Sequence, residues 1–215
     1  MTARLPFLRP LAVLAAVCGP AQAQDATNWL RQGIGMPTDL HVSDMWRPRG
    51  GEIYATDPLT LWQTEGATLS VPDAPARLIG LLERDQGRAA LMALIWSNAD
   101  VVCGEDLSTI GVDTGLAGFV TPANVRALDA YAASEGDLYA GTYAEQLDDP
   151  IPTIPFIARL PSGATFPVSG SGWGDGGYPV ASLYDAQGNM VALYAHFIPS
   201  GDEWLLPPPC DAPTG

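Results

Sequence analysis

Two stretches of the chain share one hydrophobic pattern: an apolar run, a short turn that contains glycine, and a second apolar run. In residues 77–95 the runs flank Asp85-Gln86-Gly87, and in residues 180–198 they flank residues 185–189. A loop of three to five residues with glycine at the left-handed position is a favoured hairpin connection. None of these runs alternates cleanly between apolar and polar residues. We therefore predict two β-hairpins with central strands that are covered on both faces.

Shorter segments predict further strands. Within residues 51–59 apolar and polar positions alternate until Asp57-Pro58 ends the strand. Residues 154–160 and 164–168 are short apolar segments of the same kind, and the second leads into a run of glycines. These strands are expected to extend the sheet that the hairpins form.

The clearest helix signal begins at Thr121. This residue can cap a helix, Pro122 suits the first helical position, and Val125 and Leu128 recur on one face. A second, weaker helix is predicted over residues 138–147. With the strands, this pattern predicts an α+β fold: a mostly antiparallel β-sheet built from hairpins, with one or two packed helices.

The first 23 residues have the pattern of a secretory signal peptide. Arg4 and Arg9 give a positive start, residues 11–17 are apolar, and Ala21-Gln22-Ala23 is a cleavage site of small residues. The protein is therefore expected to be secreted or periplasmic. After the signal peptide (residues 1–23), the predicted divisions are an N-terminal arm, a single α+β domain and a proline-rich C-terminal tail: residues 24–50, 51–200 and 201–215.

The net negative charge of the predicted mature chain limits the kinds of molecule that it could bind. All 10 basic residues are arginines, and removal of Arg4 and Arg9 with the signal peptide leaves eight against 24 acidic residues, a net charge of −16. Such a charge disfavours nucleic acid and anionic lipid, which attract clustered positive charge. The predicted partners are an unknown small molecule, a cation or a protein, with no nucleic acid and no membrane after cleavage. An acidic, solvated surface is the simpler explanation of the charge.

The most distinctive stretch is a glycine-rich loop at residues 170–178. Its sequence is Gly-Ser-Gly-Trp-Gly-Asp-Gly-Gly-Tyr. Glycine adopts positive φ angles freely, so such a run can expose backbone groups, while an indole and a phenol offer flat surface to a sugar or peptide. The predicted ligand-binding residues are Trp173, Gly174, Asp175, Gly176 and Tyr178, with Asp113 from elsewhere in the chain. In the alternative, Asp175 caps the glycine amides while Trp173 and Tyr178 pack on the sheet.

Three segments together resemble an uncharacterised bacterial family, domain of unknown function 4241. They are residues 51–59, which end in Ala-x-Asp-Pro-Leu, residues 111–119, Gly-Val-Asp-Thr-Gly-Leu-Ala-Gly-Phe, and residues 171–180, Ser-Gly-Trp-Gly-Asp-Gly-Gly-Tyr-Pro-Val. The middle segment departs from that family's Val-Asp-Ala-Gly-Thr-Gly form. The resemblance covers residues 51–197 and implies a shared fold, but it brings no established activity.

Asp113 also begins an Asp-Thr-Gly triplet, the core of an aspartic-protease motif. That chemistry needs two aspartates that share a proton, so this chain, with one triplet, would have to dimerise. The simpler interpretation is a turn at a strand end, in which the Asp side chain bonds local amides.

Metal and histidine chemistry have little support in the sequence. A calcium site at Asp175 needs six or more oxygens, and Asp113, Asp57 and Asp185 could add ligands only if the fold brought them together. Of the two histidines, His196 lies in an apolar strand and is expected to be a hydrogen-bonded histidine of the sheet. No cofactor is predicted.

Cys103 and Cys210 are the cysteines that remain after signal cleavage, an even number in an oxidising compartment. We therefore predict a disulfide between them. The function that fits these observations is a non-catalytic binding or interaction module with its site at the glycine-rich loop. The alternative is a carboxylate-based hydrolase, with or without the assistance of a metal ion, that uses Asp113 and Asp175.

Overall fold

The computed structural model describes residues 24–60, 68–135, 153–201 and 203–210. The predicted signal peptide at residues 1–23 and the weaker predicted helix at residues 138–147 lie outside these ranges. In chain order the elements are α1 (Ala26–Gly33), β1 (Thr38–Trp46), β2 (Glu52–Thr56), β3 (Leu69–Ser70), β4 (Ala76–Glu83), β5 (Ala89–Ile95), β6 (Cys103–Val112), β7 (Leu116–Val120), α2 (Pro122–Glu135), β8 (Phe156–Arg159), β9 (Thr165–Gly170), β10 (Gly176–Tyr184) and β11 (Met190–His196).

The two predicted hairpins are confirmed, and they form the centre of a six-stranded sheet. The strand order is β1-β4-β5-β11-β10-β6, and every pair is antiparallel. Gly87 and Gly188 have φ angles of 67° and 76° in the two hairpin turns, the left-handed conformation that the turns require. Every residue of β5 is buried, as expected of a strand that is covered on both faces.

The remaining strands form a five-stranded sheet in the order β3-β2-β7-β9-β8, also antiparallel. The predicted helix α2 follows β7. At its start Thr121 Oγ1 accepts from the Asn124 amide at 3.2 Å, and Asn124 Oδ1 accepts from the Thr121 amide at 3.0 Å. This reciprocal cap satisfies amides that a helix end leaves unpaired.

Four connections carry the chain from one sheet to the other: β1 to β2, β3 to β4, β6 to β7 and β9 to β10. β6 lies in the six-stranded sheet and β7 in the five-stranded sheet, while β9 and β10 make the same change in the opposite direction. Residues of both sheets contribute to one hydrophobic core. The α+β class is confirmed, and the antiparallel strands divide between two sheets instead of forming one.

The chain ends outside the predicted domain pack on the same body. Residues 24–50, predicted as an arm, form α1 and β1, and β1 pairs with β4 at the sheet edge. Ala26, Leu30 and Ile34 are buried, since a spacing of four residues places them on one side of the helix. Among the described residues, no helix is long and apolar enough to cross a membrane.

Candidate functional site

Two of the four connections between the sheets, residues 113–115 (β6 to β7) and 171–175 (β9 to β10), are called here the corner loops. Antiparallel pairing brings them together, because Gly176 lies opposite Val112 in one sheet and Gly170 opposite Leu116 in the other. The amide of Ser171 also donates to the carbonyl of Gly115 at 2.9 Å. The segment that contains Asp113 therefore lies beside the glycine-rich loop.

A buried carboxylate organises the first corner loop. Asp57 is completely buried, and its Oδ2 accepts from the amides of Asp113 at 3.0 Å and Thr114 at 2.8 Å. The Thr114 hydroxyl donates to the same carboxylate, and the Leu59 amide donates to Oδ1 at 2.9 Å. Gly115 completes the turn with a φ of 75°.

The turn predicted at the Asp-Thr-Gly triplet is thus present, but the carboxylate that bonds its amides belongs to Asp57. The Asp113 side chain is exposed. The sequence offered a partial signal, since an aspartate after a strand and before a proline commonly accepts from the amide two residues later, as Asp57 does from Leu59. Its bonds to Asp113 and Thr114, more than fifty positions further along the chain, could not be predicted from the neighbouring sequence.

The second corner loop is braced by hydroxyl groups. Ser171 Oγ and Tyr178 Oη both donate to the carbonyl of Gly174, at 2.6 and 2.8 Å. Gly172 and Gly174 have φ angles of 69° and 92°. A Cβ atom at Gly172 would also collide with the carbonyl of Ala89, so only glycine fits there.

Tyr178 is the buried anchor of this loop. Its ring packs edge-on against Phe197 at 5.5 Å and Trp204 at 6.2 Å between ring centroids. Burial raises the pKa of the Tyr178 phenol, with a smaller opposing effect of its hydrogen bond to Ser171. The phenol therefore stays protonated and donates to Gly174 throughout the neutral range.

Trp173 and Asp175 differ from Tyr178 because the loop presents both to solvent. Trp173 is 57% exposed, and Asp175 is also exposed. Within the described ranges the Asp175 carboxylate accepts no hydrogen bond, so it does not cap the glycine amides as the alternative supposed. Of the two aromatic residues, only Tyr178 packs on the sheet.

The structure does not gather the carboxylates that a calcium site would require. Among the described residues, no group of three or more His, Cys, Asp or Glu side chains could hold a metal ion. Asp185 accepts from the Asn189 side chain at 3.1 Å and from the amides of Asn189 and Gln187, each at 2.9 Å, within its own hairpin turn. These bonds, that from the Asn189 side chain foremost, lower its pKa. It follows β10 and lies about 27 Å from the corner loops, at ~3.3 Å per residue.

His196 is buried in β11, and among the residues that the structure describes only one of its ring nitrogens has a hydrogen-bond partner. Nδ1 accepts from the Leu205 amide at 2.9 Å, which leaves the proton on Nε2, and Nε2 is buried without a partner. Burial lowers the pKa of His196 to about 4. The expectation of a hydrogen-bonded histidine in the sheet is met at Nδ1, and the ring is neutral at pH 7.

The disulfide between Cys103 and Cys210 is confirmed, with 4.8 Å between the two Cα atoms. It fastens the C-terminal segment to β6, where the Gly104 amide also donates to the Pro208 carbonyl at 2.9 Å. Nearer the start of this segment, the carbonyl of Leu205 accepts from the Tyr194 hydroxyl at 2.7 Å. The proline-rich tail is therefore extended but held against the sheet.

Fold and loops define an α+β protein with two antiparallel sheets and an exposed glycine-rich corner. The family model described as "Protein of unknown function (DUF4241)" matches residues 95–195. Over that range, which contains both corner loops, the predicted resemblance is confirmed; the motif at residues 51–59 precedes it. No curated protein and no solved structure matches the chain.

Proposed function

We propose that the protein is an exported, non-catalytic binding module that holds its ligand against Trp173 and Asp175. The observation that carries the proposal is the contrast within the second corner loop. Its backbone is fixed by Ser171 and by buried Tyr178, while Trp173 is left 57% exposed. A large aromatic side chain on a fixed support loses little entropy when a ligand covers it, so the loop is suited to binding.

The chemistry of this surface indicates the kind of ligand. An indole offers a flat apolar face that can stack on a sugar ring, an aromatic group or a cation. Asp175 and the neighbouring Asp113 supply negative charge and hydrogen-bond acceptors. A ligand with a flat or apolar face beside hydroxyl, ammonium or guanidinium groups fits this combination, as in an oligosaccharide or a basic peptide.

Export rests on two features of the chain. The first 23 residues have the composition of a signal peptide, and a disulfide such as Cys103–Cys210 persists in oxidising compartments. N-terminal sequencing of the protein from periplasm or medium should find Gln24 first. A mature chain that begins at Met1, or one acylated at Cys18, would contradict export by this route.

A titration with a ligand panel tests the site. Wild-type protein is titrated with neutral oligosaccharides, basic aromatic peptides and calcium, and amide chemical shifts are followed by NMR. We expect one class to shift the amides of residues 170–178, and Trp173→Ala and Asp175→Asn to weaken that response.

Met45→Ala and Asp44→Asn are matched controls, because Met45 is 58% exposed and both residues lie on β1, away from the corner loops. They should leave the response unchanged. Equal weakening by these controls, or shifts confined to other parts of the chain, would place the site elsewhere. No observation specifically favours the hydrolase that would use Asp113 and Asp175.

A further inference from the structure

A cavity of about 270 Å³ lies at the other end of β9 from the corner loops. Three segments enclose it: the turn from β1 to β2, the first turn of α2, and the turn from β8 to β9. Because β9 runs from Thr165 to Gly170, the cavity and the glycine-rich loop are about 17 Å apart along the strand, at ~3.3 Å per residue.

The charged residues that line this cavity are basic, whereas the chain as a whole is acidic. The sequence has 24 acidic and 10 basic residues, yet the residues that line this cavity include Arg47 and Arg49 and no aspartate or glutamate. Arg47 forms an ion pair with Asp73, so the net positive charge at this cavity is that of Arg49, and it would attract an anion.

The turn that carries both arginines is held in place. Arg47 Nε donates to Asp73 Oδ1 at 2.7 Å, its Nη2 donates to the Asp73 carbonyl at 3.1 Å, and the Gly50 amide donates to Asp73 Oδ2 at 3.2 Å. The hydrogen bond from Arg47, followed by that from Gly50, lowers the pKa of Asp73, which is therefore ionised at neutral pH. Arg49, by contrast, makes no hydrogen bond through its guanidinium within the described ranges.

Most other polar groups of the wall already have partners. Trp46 Nε1 and Asn124 Nδ2 both donate to the carbonyl of Thr165, at 2.8 and 3.2 Å. Thr121 and Asn124 bond each other in the cap of α2. The polar donors that remain for a ligand are chiefly those of the guanidinium groups, and these require an acceptor.

We propose that this cavity binds the carboxylate or phosphate group of a small organic anion, with Arg49 as its principal ligand-binding residue. A guanidinium matches both oxyanions through two parallel hydrogen bonds. Sites for drug-sized ligands begin at about 300 Å³, so this cavity suits a molecule of monosaccharide or amino-acid size. The fixed indole of Trp46 forms part of the wall that would face the rest of the molecule.

Binding of galacturonate, glucose 6-phosphate and glucose to the full mature chain tests this proposal by calorimetry and NMR. We expect at least one of the two anions to bind and to shift amides of residues 46–50 and 121–124, and glucose not to bind. The two anions separate a carboxylate from a phosphate ligand, and inorganic phosphate shows whether phosphate alone suffices. Arg49→Gln should weaken binding roughly tenfold or more, the effect of losing a charged hydrogen bond.

Arg88→Gln is the matched control, since Arg88 is an exposed arginine in the hairpin turn between β4 and β5. It changes net charge equally and should leave binding unchanged. Circular dichroism verifies that both variants fold. Equal weakening by the two variants, binding of glucose as tight as that of the anions, or no binding by either anion at millimolar concentration would overturn the proposal.

Discussion

The two corner loops lie side by side and cross between the same two sheets in opposite directions, but they are built in different ways. The loop at residues 113–115 is held by Asp57, a completely buried carboxylate from another strand end. The loop at residues 171–175 is held by hydroxyl groups on one carbonyl and keeps its own carboxylate, Asp175, in solvent. The sequence pattern of an aspartate beside glycines therefore does not tell whether the carboxylate caps the loop or is free to bind a ligand. The burial of the carboxylate and its hydrogen-bond partners distinguish these two roles.

The largest effect is expected for Asp57→Ala. The change leaves the part-buried amides of Asp113 and Thr114 without their acceptor and removes a fully buried hydrogen-bonded side chain, so we expect the free energy of unfolding to fall by about 3–5 kcal/mol. Urea denaturation measures this fall. Thr114→Val removes only the hydroxyl bond to Asp57 and should cost about 1–2 kcal/mol. A loss below about 1 kcal/mol for Asp57→Ala would mean that the first corner loop does not depend on this carboxylate.

The second prediction concerns a buried residue, His196, and the loss of stability that its protonation should cause in acid. Its folded pKa of about 4 lies below the ordinary value of 6.5, so the unfolded chain binds the proton more readily. The stability that the neutral ring contributes is complete above pH 6.5 and is lost as the pH falls towards 4, by about 3 kcal/mol.

Denaturation at pH 7 and pH 4 compares the wild type with His196→Gln, which keeps an acceptor for Leu205 but does not titrate. The variant should lose less stability over this interval, and the carboxylates common to both proteins cancel in the difference. The same loss in both proteins would show that His196 does not govern this interval.

A smaller effect is expected for Tyr178→Phe. The ring still packs against Phe197 and Trp204, and the carbonyl of Gly174 keeps its bond from Ser171, so the cost should be about 1 kcal/mol. Because the Ser171 and Tyr178 hydroxyls bond the same carbonyl, the double variant with Ser171→Ala should lose more than the sum of the single losses. Additive losses would mean that the two hydroxyls do not act on one group.

The sequence predicted those parts of the fold that depend on local pattern. The hairpins at Gly87 and Gly188 and the helix after Thr121 follow from turn and cap residues a few positions apart. The disulfide followed from an even count of cysteines. The sequence did not predict contacts between distant segments. Strand β1 alternates only weakly between buried and exposed positions, so its pattern does not indicate a strand. No residue near Asp57 in the sequence indicates its hydrogen bond to Thr114.

The candidate site shows the same limit. Glycines, an indole and a carboxylate marked residues 170–178, but burial decides the role of each residue, and burial depends on tertiary packing. The sequence predicts Tyr178 as a ligand-binding residue, and the structure buries its ring beside Phe197 and Trp204, where its hydroxyl group supports the loop. Trp173 and Asp175 remain the exposed pair.

The most direct test is the stability and ligand response of Asp175→Asn, measured beside Asp44→Asn. Because Asp175 is exposed and accepts no hydrogen bond within the described ranges, both variants should change the free energy of unfolding by less than about 0.5 kcal/mol. Only Asp175→Asn should lose the response of residues 170–178 to the ligand that binds wild type. A loss of about 1–3 kcal/mol in Asp175→Asn, with no panel ligand shifting the wild type, would show that the loop is scaffold and not a binding site.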